Sequence, residues 1–394
     1  MSKKAICLYL HVHQPFRVRK YSVFDINKNS DYFDVDNKEI FLKVAGKSYL
    51  PTNKVLLRLL KKYPEFKISL SITGTFIEQC EMWSPVVLDS FKKLVETGRV
   101  EVLAETYHHS LAWFYSRAEF VRQVAAHEKK IAEVFGVRPT AFRNTELAYN
   151  NDLARWADEA GYKAIVAEGW EGTLSWRSPN YVYRPQDTKN IRLLAKNYKL
   201  SDDLAFRFSN RAWKEYPLTA DKYLSWLDAD EAPLINLFMD YETFGEHQWA
   251  DSGIFEMLEE IPKRWLKIPE HSFVTISGAI KVDAPRDFID CPNTMTWADS
   301  ERDLTAWLGN KMQQESQRLL YSFENAVMKS GDIDLIEDWR RLTTSDLVYY
   351  ICTKYFTDGD VHSYFSPYDS PYDAFIHYSN VLKDIYCRVN KKKD

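Results

Sequence analysis

The chain has no run of apolar residues approaching the roughly 18 that a membrane span needs. It is also poor in cysteine. The five cysteines, at 7, 80, 291, 352 and 387, are scattered, odd in number and never spaced as CxxC. That pattern argues against structural zinc and fits a reducing compartment. Basic charge is not in excess: 52 Lys plus Arg stand against 56 Asp plus Glu, a formal net charge of −4, so nucleic acid is not expected as a partner. The opening MSKKAICLYLHVHQPF places lysines before an apolar stretch, as a secretory leader would. The stretch runs only six residues before His11 and no small-residue cleavage site follows, so a cytoplasmic location is expected. There is no internal repeat, and the one low-complexity piece is the terminal KKKD, expected to fray.

What is present is length and aromatic mass. At 394 residues the chain suits a large barrel, alone or with a satellite domain. Its 24 Tyr, 22 Phe and 12 Trp make up 15% of the residues, and a surplus of amphipathic rings suits a surface that grips sugars or other flat ligands.

Short buried strands alternate with helices through the first two thirds. AICLYLHV (5–12), KISLSIT (67–73), VEVLAET (100–106), TAFRNTE (140–146), KAIVAEG (163–169), PLINLFMD (233–240) and FVTI (273–276) read as strands. Helices are expected at 52–62 with Thr52 as N-cap, at 84–97 ending at Gly98, at 117–135 ending at Gly136, and at 151–160. This rhythm predicts a parallel barrel or a doubly wound sheet. After about residue 297 the pattern becomes helical, with further helices expected at 332–341, 344–356 and 371–389 and a loop SYFSPYDSPY between the last two.

In a parallel barrel the working side chains project from the C-terminal strand ends. Those positions hold His11, His13 and Gln14; Glu101, Glu105, His108 and His109; Asn144 and Glu146; Glu168; and Asp240, Glu242 and His247. Taken singly these are weak signals. HVHQPF is as consistent with one core histidine as with a metal site, and ETYHHSL with a polar loop. In FRNTELAY (142–149), Arg143 and Asn144 stand close enough in sequence to keep the Glu146 carboxylate ionised, as a nucleophile requires. Asp240, crowded by Glu242 among Phe238, Met239 and Phe244, is expected to hold a proton near neutral pH. One ionised and one protonated carboxyl across a cleft is the apparatus of glycosidic bond cleavage.

Together these segments resemble glycoside hydrolase family 57, in particular its α-amylase-type members. Five short regions carry the resemblance in order: HVHQPF (11–16), GRVEVLAET (98–106), FRNTELAY (142–149), FMDYETFGEHQW (238–249) and WADSERDLTAWLGN (297–310). The resemblance implies an incomplete parallel (β/α)7 barrel followed by an α-helical C-terminal domain, divided as 1–296 and 297–394, with the helical part reaching over the barrel mouth. It implies Glu146 as nucleophile and Asp240 as general acid/base. His11, His13, Gln14, Glu101, His108, Glu242, His247, Trp297 and Trp307 are then expected to contact substrate. The implied substrate is an α-glucan or maltooligosaccharide, cleaved with retention, and no metal or organic cofactor is required. Retention predicts the two carboxyls roughly 5–5.5 Å apart. Branching and pullulan-cleaving relatives carry His and paired Trp after the glycine of the fourth region, whereas Gly245 here precedes Glu246, His247, Gln248 and Trp249, which favours the α-amylase type. The rivals are a 4-α-glucanotransferase or branching enzyme of the same family, a zinc-dependent carbohydrate deacetylase using His11, His13 and His108 or His109, and a glucan-binding protein without catalysis. The deacetylase is disfavoured because no Asp-Asp pair ends the first strand.

Overall fold

The structure, a computed structural model, describes residues 3–34, 36–354 and 366–391. The terminal KKKD and the start of the Pro- and Tyr-rich loop therefore lie partly or wholly outside the described residues. Among the described residues ten strands run in chain order: β1 (Lys4–Val12), β2 (Ile68–Ile72), β3 (Val100–Val102), β4 (Ala141–Arg143), β5 (Ala164–Glu168), β6 (Val182–Pro185), β7 (Arg192–Lys196), β8 (Leu234–Asp240), β9 (His271–Val274) and β10 (Phe288–Ile289).

β1 and β8 are the most continuously apolar segments and take the centre, where both faces are covered. They pair in parallel from Ala5 opposite Leu234 to His11 opposite Asp240. β2 joins the second half of β1 and β9 its first half, both in parallel. β3 continues from β2, and β4, β5 and β7 form a second parallel run. Two thin seams join the runs. At one, Ala104 bridges Phe142. At the other, Asn197 N–H donates to Asn236 O (2.9 Å) and the Asn236 amide donates to Ala195 O (3.0 Å). The circuit β1-β2-β3-β4-β5-β7-β8 is thus an incomplete seven-stranded parallel barrel. β6 is antiparallel to β7 and, with β10, lies outside it.

Helices Leu50–Lys62 and Pro85–Val95 press Leu56, Leu59, Leu60, Val87, Phe91 and Leu94 onto the sheet. Thr52 does not cap the first of them. A π turn at Ala45–Tyr49 leads directly into that helix, so Thr52 lies inside it and spends its hydroxyl on Phe244 O (3.2 Å). β6 and β7 fall between the expected strands at 163–169 and 233–240 and are absent from the sequence reading, because each is only four or five residues and carries Arg184, Arg192 or Lys196 where a buried strand would show apolar side chains.

From Thr305 onward the described elements are helices, with a core of their own around Trp307, Leu320, Trp339, Val381 and Ile385. Val18, Tyr21 and Tyr32 from the segment after β1, and Leu111 from the segment after β3, belong to the same core. The helical part is therefore anchored on loops that leave the C-terminal ends of barrel strands. Among the described residues no helix is long and apolar enough to cross a membrane.

The chain turns sharply after β8 at Gly245, whose φ of +107° few side-chain-bearing residues adopt, and a Cβ there would lie 2.0 Å from Lys47 O. Gly245→Ala should cost at least about 1–2 kcal/mol from backbone conformation alone. Urea unfolding checks this, and an unchanged midpoint would show that the turn relaxes freely.

Candidate active site

The C-terminal ends of β1, β4 and β8 and the segment after β3 open on one cavity of about 510 Å3. Glu146 reaches it from a tight turn after β4, where Glu146 (φ +58°) and Leu147 (φ +50°) both adopt left-handed backbone. That conformation costs about 1–2 kcal/mol for each residue with a side chain. Bonds on every side hold it: Leu147 N–H to Asn144 O (3.1 Å), Ala148 N–H to Thr145 O (2.9 Å), Trp297 N–H to Glu146 O (3.2 Å) and the Asn144 amide to Ala148 O (3.0 Å).

The turn lifts the Glu146 carboxylate into three donors. His109 Nε2 (3.0 Å) and Ser345 Oγ (3.1 Å) donate to Oε1, and Trp297 Nε1 donates to Oε2 (2.8 Å). Burial alone would raise its pKa, but the charges of His109 and Arg143 outweigh burial and hold it below the ordinary glutamate value. Glu146 is ionised. Arg143 acts from a distance; its guanidinium is fully buried 3.6 Å from Glu105.

Asp240 ends β8 opposite His11, whose Nδ1 lies 3.5 Å from Oδ1, and its side chain remains one third exposed. The proton expected on Asp240 is not there. Burial pushes its pKa up, but His11, His247 and Arg143 bring it below the ordinary aspartate value. The proton sits two residues on. Glu242 is buried, faces Asp240 and is pushed up to about 8 by burial and by that like charge, with the Tyr49 hydroxyl donating to it. Gln14 supports this corner by donating to Tyr49 Oη (3.0 Å).

His13 is pushed down to about 4 by burial and by the neighbouring His109 and is neutral. A carboxylate can only accept, so Nε2–H donates to Asp346 Oδ2 (3.0 Å) and Nδ1 accepts from the Thr73 hydroxyl (2.9 Å). His109 opposes it. Burial would lower its pKa, but Glu146 and Glu105 raise it to about 9, so it is cationic at neutral pH. Trp297 forms a wall with Arg143 and Lys196 each about 5 Å from its ring centre, at 5.2 and 5.3 Å. Trp307, 1% exposed, backs the cavity from the helical core, and His247 lines the rim beside Phe206.

Among known sequences, residues 7–292 match the model of glycosyl hydrolase family 57. The chain belongs to this family. It is 45% identical over 396 aligned residues to a Methanocaldococcus jannaschii protein named "Putative alpha-amylase", covering 96% of this chain and 83% of that one. It is 22% identical to a 4-alpha-glucanotransferase of Thermococcus litoralis over 58% of this chain but only 32% of that enzyme. In structure it resembles the GH57-type branching enzyme of Pyrococcus horikoshii, with a TM-score of 0.68 over 98% of this chain and 94% of that one. At 15% identity that likeness is one of fold.

Within this family 57 chain two of the expected substrate contacts lie away from the cavity, and the strand-end positions Glu105, Asn144 and Glu168 do not line it either. Glu101 points to the other side of β3, where the Ser277 N–H (2.9 Å) and the Ser277 and Ser69 hydroxyls occupy it. His108 is buried against Tyr107, with Nε2 4.0 Å from Glu337. Its neighbour His109, at φ +51°, turns into the cavity instead. The expected substrate contact of this pair was His108, yet it is His109 that lines the cavity, a choice set by one left-handed residue. Sequence reasoning missed Ser345, Asp346, Tyr349 and Tyr350, which the helical part delivers to the cavity. In TTSDLVYY these look like an ordinary helix start, and nothing local marks them.

Two groups of three side chains, His11/Glu105/His109 and His13/His109/Asp346, bring ligand-type atoms within 4.8 Å of one another. Their chemistry argues against an ion. Both groups need His109, whose Nε2–H is committed to Glu146, and Arg143 already stands against Glu105.

The raised pKa of Glu242 has a thermodynamic sign. Between about pH 4.5, where the unfolded side chain titrates, and about 8, the folded state binds more protons, so stability falls as pH rises through that window. Glu242→Gln removes this slope. Its melting temperature relative to wild type should rise steadily from pH 5 to pH 8, as scanning calorimetry would read, and a pH-independent difference would put the proton elsewhere.

Proposed function

We propose that the protein is a retaining hydrolase of α-1,4-glucosidic bonds in starch, glycogen or maltodextrins. The supporting observation is the pairing within one cavity of an ionised, three-fold hydrogen-bonded Glu146 and a partly open Asp240. In the first step Glu146 attacks the anomeric carbon while Asp240 protonates the departing glycosidic oxygen. In the second, Asp240 takes a proton from water, which displaces Glu146 and restores the starting configuration.

The donors on Glu146 suit this role. They keep the carboxylate ionised and oriented, and they remain to receive the charge when the glycosyl–enzyme bond breaks. Asp240 gains its proton as the glucan fills the cavity, because excluding water raises the pKa of a carboxyl whose one open side faces the substrate. His11, His13, Asp346 and the amide of Gln14 offer donors and acceptors to sugar hydroxyls. Trp297, Tyr349 and Phe206 offer apolar faces to pyranose rings. No step calls for a metal.

Maltoheptaose incubated with the purified protein should yield only shorter sugars. Glu146→Gln should lower the rate by at least about 1000-fold while unfolding like wild type, since the amide preserves most local hydrogen bonds. Products both shorter and longer than the substrate would make the protein a glucanotransferase, because a sugar hydroxyl would then outcompete water. Loss of activity in EDTA would overturn the metal-free mechanism.

A further inference from the structure

Beneath the catalytic pair lies a carboxylate that the mechanism above does not use. Glu105 follows β3 at the seam with β4 and is completely buried, and neither of its oxygens has a hydrogen bond of ordinary length. Three nitrogens surround Oε2: His11 Nε2 at 3.4 Å, His109 Nδ1 at 3.6 Å and Arg143 Nη1 at 3.6 Å. A buried charge is costly unless it is paired, and an anion serving only to neutralise Arg143 would take it in a two-pronged bond. Here the anion is shared instead. The far nitrogen of each imidazole then reaches a catalytic carboxyl: His109 Nε2 lies 3.0 Å from Glu146 Oε1 and His11 Nδ1 lies 3.5 Å from Asp240 Oδ1. One buried anion stands a single imidazole away from both.

We propose that Glu105 is a positioning residue that governs both catalytic carboxyls, by holding His109 as a double donor towards Glu146 and by fixing the ring nitrogen that His11 presents to Asp240. This rests on the assignment of Glu146 and Asp240 made above. A carboxylate only accepts, so each imidazole must turn an N–H to Glu105. His109 then keeps a second N–H for Glu146 only as the cation. His11, with Nε2–H on Glu105, turns Nδ1 towards Asp240 Oδ1. Arg143 competes for His109 Nδ1, at 3.3 Å, and would leave the ring neutral if it won. The groups facing His109 are Glu105, Glu146, Asp346, Arg143, His11 and His13, while His127 lies behind Glu105 and accepts its backbone N–H.

The test compares wild type, Glu105→Gln, Glu105→Asp and Glu146→Gln on maltoheptaose from pH 4 to 10. Glu105→Gln should lose about 100-fold in kcat with KM within about threefold of wild type. The alkaline limb of its pH profile should move to lower pH, because His109 has lost one of its anions, and Glu105→Asp should recover part of both effects. Wild-type kcat and an unmoved profile in Glu105→Gln, beside an inactive Glu146→Gln, would overturn this proposal alone. An active Glu146→Gln would overturn the assignment of the site and this proposal with it. Should Glu105→Gln not fold, 15N histidine spectra of the wild-type protein at pH 7 decide. Both His109 nitrogens protonated supports the proposal, and an unprotonated Nδ1 refutes it.

Discussion

The Glu146 carboxylate is gripped by donors from three distant parts of the chain, and much of the architecture is arranged around that grip. His109 comes from the segment after β3, Trp297 from the passage into the helices, and Ser345 from the start of a helix about 200 residues away. Each bond to a charged acceptor is stronger than one between neutral groups, and the three together offset both burial and the left-handed backbone that presents the carboxylate. The site is therefore complete only when the helical part is docked. The second contact across the same joint, from His13 on the barrel to Asp346, lies beside it. The helical part does more than shield the cavity; it supplies a share of the electrostatics.

The same floor explains how three acids close in sequence and space take different states. Glu146 faces a cation, Asp240 faces an imidazole and open cavity, and Glu242 faces Asp240, a phenol and the Gln14 amide. Burial is common to all three, so their partners decide. Glu242 is pushed towards its protonated form because burial and the like charge of Asp240 outweigh its neutral donors Tyr49 and Gln14. A neutral carboxyl next to Asp240 then spares that residue a second negative neighbour.

Most of the barrel could be read from the sequence, since its central strands are continuous apolar runs and its helices end at Gly98 and Gly136, both at φ +69°. What failed was whatever periodicity does not encode. β6 and β7 are short and charged at their ends. Thr52 looked like a cap because a π turn before a helix leaves no polar signature. At the site, the residues at strand ends could be placed because alternation and register fix where a strand end points. The choice between His108 and His109, the proton's preference for Glu242 over Asp240, and the arrival of Ser345 and Asp346 each depend on a contact across the fold. No window of sequence contains such a contact.

The aromatic surplus has a different use from the one its amount suggests. Among the described residues a handful of rings, Trp297, Trp307, Tyr349, Tyr350 and Phe206, line the cavity. Several tyrosines instead carry a hydroxyl to an acid within the fold. Tyr32 donates to Asp384 (2.5 Å), Tyr107 to Glu78 (2.8 Å), Tyr162 to Glu128 (2.7 Å) and Tyr49 to Glu242. A phenol suits this task because its ring packs as apolar mass while its tip satisfies a carboxyl without adding charge. A lysine or arginine in the place of Tyr49 would pair with Glu242 as a cation and strip it of its proton, adding a second fixed anion beside Asp240. A neutral donor at that position lets Glu242 stay buried and protonated, so the acid chemistry of the cavity depends on tyrosine as much as on its carboxylates.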